Sequence, residues 1–114
     1  MALRRFQGFV MPYIQPDQVI SPKASWTLVD VVLDRGENAP AYAIGMWDRK
    51  RRVGFRWNGD DDSPLGNPQS RGLPTWVMLD PALNGAVLEL VEKKNPEKAA
   101  IMCAFLGRPV EDAA

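Results

Sequence analysis

The chain has 114 residues, 46% of them apolar and 25% charged, with 14 basic and 14 acidic side chains and no histidine. That length predicts one domain over residues 1–114, and the cancelling charge argues against a sequence-blind nucleic-acid binder, which carries a basic excess. The missing histidine removes the commonest acid/base catalyst and the commonest transition-metal ligand.

At the start, Gln7, Gly8 and Pro12 interrupt any apolar run. Neither a signal peptide nor a membrane span is expected. Cys103 is the one cysteine, so no internal disulfide forms, and a reducing cytoplasm is the expected compartment. Residues 3–14 suggest an added edge strand.

Ser21-Pro22, Asp80-Pro81 and Asn95-Pro96 each join a good N-cap residue to proline, which suits the first helical position. After the first pair, Lys23, Thr27, Asp30 and Asp34 form one polar stripe at helical spacing. Trp26, Leu28, Val29, Val32 and Leu33 cover the other side, and Gly36 follows as a C-terminal cap. The β-branched content favours strand, but this periodicity predicts a helix over 22–35.

A hairpin follows. With a four-residue turn at Asp48-Arg49-Lys50-Arg51, Met46 faces Val53, Ile44 faces Phe55 and Tyr42 faces Trp57. One face is then apolar, and the other carries Ala41, Ala43, Gly45 and Gly54 as an open working surface. By this alternation Trp26 and Trp57 belong to the core, while Trp47 and Trp76 line a surface or pocket. A long polar loop leads to a third strand at Leu73–Leu79. Helices are predicted over 81–93 and 96–106, with Gly107 as the stop and 108–114 as a flexible tail.

The expected fold is therefore α+β: a helix, a three-stranded antiparallel sheet with an extra N-terminal edge strand, then two C-terminal helices packed on one sheet face. This order resembles the plan of double-stranded-RNA-binding domains and of small toxin folds. Here, however, the second helix lacks a basic N-terminus and the toxin histidine is missing. The strand-loop-strand-helix run through RRVGFRW and RGLPTWVML is similar to that of a group of single-stranded nucleic-acid binders. It covers about a third of the chain and rests on fold-level analogy.

Arg49, Lys50, Arg51 and Arg52 cluster at the hairpin tip beside Trp47 and Arg56, a combination suited to phosphate contact and base stacking. In the loop, Asn58, Asn67, Gln69, Ser70 and Arg71 offer hydrogen bonds and a charge, and Trp76 follows. Asp60, Asp61 and Asp62 begin like a calcium loop, but Ser63 stands where its glycine belongs and Gln69 where its glutamate belongs. Neither a metal site nor a cofactor is expected, and Cys103, in AAIMCAFL, reads as a core thiol.

The leading reading is a non-enzymatic module binding nucleic acid or another phosphate-bearing ligand. A homodimeric or protein-interaction subunit is the second reading. A metal-dependent hydrolase using Asp60–Asp62 ranks behind both.

Overall fold

The computed structural model describes residues 4–6 and 9–107. Its centre is the hairpin of β4 (Pro40–Trp47) and β5 (Lys50–Trp57). The turn holds two residues, not four. Asp48 and Arg49 have φ of 47° and 71°, the left-handed geometry whose twist matches that of the flanking strands. Tyr42 therefore faces Phe55, Ile44 faces Val53 and Gly45 faces Arg52. This register lies two residues from the expected one. Side chains alternate with period two, so the slip leaves both faces as assigned.

The segment expected as the first helix is a strand, β3 (Trp26–Asp34), antiparallel to β4. Its launch is a turn: the amides of Ser25 and Trp26 both donate to the Pro22 carbonyl. The register shifts twice, between Leu28 and Asp30 and again between Val31 and Leu33. Each bulge turns the following residues to the other face. Trp26, Leu28 and Val31 thus pack on one side, and Val32 and Leu33 on the other. Two interruptions of a two-residue period produce the spacing that imitates a helix. The first bulge also puts Asp30 beside Lys98 of the last helix, with Nζ 2.8 Å from Oδ2.

The predicted third strand is split. β6 (Gln69–Ser70) pairs with β7 (Leu73–Pro74), and β8 (Val77–Met78) pairs with β5. The main sheet accordingly has four strands in the order β3-β4-β5-β8. Near the start, β1 (Arg4–Phe6) and β2 (Phe9–Met11) form a hairpin of their own and do not extend that sheet.

The C-terminal helices follow their local signals. Asp80 accepts from the Ala82 amide at 2.9 Å and opens a short 3-10 turn, Pro81–Leu83. α1 (Asn84–Lys94) continues from it, and α2 (Pro96–Leu106) ends at Gly107, φ 85°. Asn95 precedes α2, but its side chain reaches across to the Val32 carbonyl and does not cap the helix. Val87, Leu88, Val91, Ala99 and Met102 pack with Val32, Leu33, Ile44 and Val53 into one core. No described helix is long and apolar enough to cross a membrane. The expected tail at 108–114 lies outside the described residues.

The opposite sheet face is not open. Val19, Trp26, Ala41, Ala43 and Trp76 form a second buried cluster on it. Trp76, expected to line a surface or pocket, is 3% exposed and donates from Nε1 to the Val19 carbonyl, while Trp57, expected in the core, is 44% exposed. The alanines and glycines of this face are small because two indoles lie against them. With a strand in place of the first helix and both sheet faces covered, the chain does not have the α-β-β-β-α plan that its sequence resembles.

Candidate functional site

The hairpin tip presents its cations as expected. Arg49, Lys50 and Arg51 are exposed and Arg52 is half-buried. Alternation along β5 sends Lys50 and Arg52 to the Trp47 side of the sheet and Arg51 to the helix side. Trp47 lies directly across from Lys50 and is half-buried at the margin of the tryptophan cluster. The Arg51 guanidinium sits 5.7 Å from the centre of the Phe105 ring. Among the described residues, Lys98 with Asp30 is the only ion pair, so no tip cation is neutralised by a carboxylate contact.

The long loop does not join this surface. It is fastened at the Trp57 end of β5, where Trp57 and Asn67 exchange backbone hydrogen bonds of 2.7 and 2.9 Å. The tip lies at the Lys50 end, seven residue steps or roughly 23 Å away. Arg71 is exposed in a separate turn at φ 54°, next to exposed Ser70. Gln69 donates to the Gly66 carbonyl within the loop.

Two residues expected at the ligand surface hold the loop from inside. Asn58 is 1% exposed and donates to Asp34 Oδ1 at 2.8 Å and to the Gly36 carbonyl at 2.9 Å, joining the loop to the β3–β4 turn. Arg56 is fully buried. Its Nη1 donates to the Thr75 carbonyl at 2.7 Å, and its Nη2 donates to the Leu65 carbonyl. Burial pushes its pKa down to about 10, so it remains charged near neutrality. Gly66 closes over it at φ 63°, and a Cβ there would come within 2.7 Å of the guanidinium. Trp76 is likewise internal.

The aspartate run serves its own turn. The Asp60 carboxylate accepts from the amides of Asp62 and Ser63 at 2.9 and 2.8 Å. The Ser63 amide is the chief reason its pKa lies below the ordinary value, with the Asn38 side chain and the Asp62 amide adding to it. Such a group stabilises the turn above its unfolded pKa, and that contribution is lost as pH falls through the depressed folded value. The Ser63 and Asp62 amide resonances should therefore shift with a midpoint below 3.8, the ordinary value. A midpoint at or above 3.8 in an NMR titration would refute the capped turn. Among the described residues, no three His, Cys, Asp or Glu side chains are grouped to hold a metal ion.

Two concavities flank the helix side of the sheet. One, of about 460 Å³, adjoins the basic tip and is lined by Lys23, Ala24, Ser25, Thr27, Met46, Asp48 and Arg49. The helical reading of 22–35 hides it, because it places Lys23 and Thr27 on a solvent stripe. The other, of about 310 Å³, is an apolar groove between Tyr42, Phe55 and Leu79 on one side and Leu83, Ala86 and Val87 on the other. The Trp57 ring meets Phe55 at its margin.

Fold and surface together define an α+β protein with a four-stranded antiparallel sheet, two C-terminal helices and a basic hairpin tip whose cations have no carboxylate contact among the described residues. No protein-family model matches the chain, and no curated protein or solved structure matches it significantly.

Proposed function

We propose that this chain is a non-enzymatic binding module for nucleic acid, using the hairpin tip. The observation that carries this reading is the run Arg49-Lys50-Arg51-Arg52, exposed or half-exposed and without a carboxylate partner among the described residues, beside a half-buried indole. Arginine and lysine meet phosphate oxygens, and Trp47 offers a ring edge or face to a base. A net charge of zero means that the local cluster, not a global field, attracts the ligand.

The test is fluorescence anisotropy of a labelled single-stranded oligonucleotide at low salt. Joint Arg49→Glu, Lys50→Glu and Arg51→Glu substitution should abolish binding and lower the melting temperature by no more than about 6 °C. Exposed sites usually cost no more than about 0.5 kcal/mol each. Wild-type affinity should fall with salt, by a slope of about 0.7 per phosphate contacted. Trp47→Ala should weaken the complex by roughly 1–3 kcal/mol. Undiminished binding by the triple variant would remove the tip from the mechanism.

A second reading, self-association, is favoured by the apolar groove and by Trp57, Val77 and Leu83, which are 44–47% exposed. Salt-insensitive dimerisation of the wild type, with no oligonucleotide binding, would replace the first reading with this one.

A further inference from the structure

The cleft beside the tip is assembled from two turns that lie far apart in sequence. Lys23, Ala24 and Ser25 come from the turn before β3, and Asp48 and Arg49 form the hairpin turn. The Asp48 amide donates to the Ser25 carbonyl at 2.9 Å, which fixes one wall against the other. Between them the cross-strand pair Thr27 and Met46 supplies a hydroxyl and a thioether. Alternation puts this pair on the side of the sheet opposite Trp47. About 460 Å³ falls within the range of small-molecule sites.

The lining chemistry restricts the occupant. Two cations, Lys23 and Arg49, favour an anionic group, yet Asp48 would repel a simple anion. Asp48 also gives a carboxylate, which only accepts hydrogen bonds. A ligand that satisfies all three has a phosphate at one end and N–H donors at the other. Nucleotides have this layout. Guanine presents two adjacent donors, N1–H and N2–H, to a carboxylate's two oxygens. Uracil has a single N–H between two carbonyls, which a carboxylate repels. Adenine and cytosine set their amino group beside an acceptor nitrogen.

We infer that the cleft receives one guanine nucleotide of a bound strand. Lys23 and Arg49 meet its phosphate, Asp48 accepts from N1–H and N2–H, and Met46 lies under the ring. The inference rests on the tip being a nucleic-acid surface. It adds a base preference and brings in Lys23, Asp48 and Met46, which lie outside the basic run.

Calorimetric titration of the whole chain with GMP, UMP and inorganic phosphate tests it. Two variants keep the fold. Lys23 is exposed, so Lys23→Gln is benign, and asparagine readily takes the left-handed backbone of position 48, φ 47°. GMP should bind about tenfold more tightly than UMP, the discrimination expected of one good bidentate pair. Lys23→Gln should weaken both by a similar factor, whereas Asp48→Asn should bring GMP down to the level of UMP. Equal binding of the two nucleotides, selectivity that survives Asp48→Asn, or no nucleotide binding at millimolar concentration would each overturn the inference. If oligonucleotides still bind through the tip in that event, only the cleft assignment fails. If GMP shows the expected pattern while the oligonucleotide does not bind, the strand-binding reading fails and the cleft remains as a mononucleotide site.

Discussion

Gly45→Ala is expected to unfold the protein or come close to it, although it adds one methyl group. A Cβ at this position would lie 2.5 Å from the Thr27 carbonyl oxygen and would overlap the six-membered ring of Trp26. The first obstacle is strand backbone, held in register by β3–β4 pairing. The second is an indole at 2% exposure, packed against Trp76 with ring centres 6.4 Å apart. Neither can move without opening the second core. Overpacking a core commonly costs about 1–3 kcal/mol, and obstacles this rigid put the cost at or above about 3. For a domain of this size that lowers the melting temperature by roughly 12 °C or more. Gly54→Ala is the control. It lies on the same face, but its Cβ would meet the mobile end of Met78 at 3.2 Å and the Trp76 and Trp26 rings only at 3.3 and 3.4 Å, so it should cost about 1–2 kcal/mol, less than Gly45→Ala. Thermal unfolding of both variants decides the matter. Equal, small effects would mean that the tryptophan layer does not close this face.

That contrast also shows where sequence reasoning succeeds. Asp80, Pro96 and Gly107 act on neighbours within one turn of helix, so the two C-terminal helices were legible from the residues that begin and end them. The hairpin faces were legible because a period of two survives a two-residue error in the turn. The turn itself is not legible, since Asp48 and Arg49 reveal their left-handed backbone only through the geometry of the strands they join. β3 was hidden because bulges at two points broke its alternation. The small residues of the outer face are consistent with openness or with a large neighbour. Only the fold shows Trp26 and Trp76 arriving there from distant positions in the chain. The basic tip was legible as composition. Its partner wall, Lys23 to Ser25, was not, because only the pairing of β3 with β4 brings the two turns together and a helix over 22–35 has no such pairing.

Arg56 separates global stability from local order, and its replacement should show them diverging. The guanidinium is buried without a carboxylate partner among the described residues, and its Nε makes no hydrogen bond. Burying a charge costs several kcal/mol, and the depressed pKa of about 10 reflects that cost. The cost is present at neutral pH and is relieved only as pH rises through the depressed value of about 10 towards the ordinary arginine range. Against it stand two charge-assisted hydrogen bonds, worth about 1.5–3 kcal/mol each, to one carbonyl in the middle of the loop, Leu65, and one just before β8, Thr75. Arg56→Met keeps most of the volume and sheds the burial cost, so its loss of overall stability should be modest, about 1–2 kcal/mol. Arg56→Ala adds a cavity and should cost about 3–5 kcal/mol. Arg56→Lys retains the charge but cannot reach two carbonyls as a planar fork does, so it should fall between them. All three leave at least one of the Leu65 and Thr75 carbonyls without its donor. Amide exchange at Trp57 and Asn67, which close the loop, should therefore accelerate about tenfold or more in Arg56→Met while its melting temperature falls by about 4–8 °C, because one lost charge-assisted bond suffices for that factor. Exchange as slow as in the wild type would show that Gly66, Asn58 and the loop backbone hold the segment without the arginine.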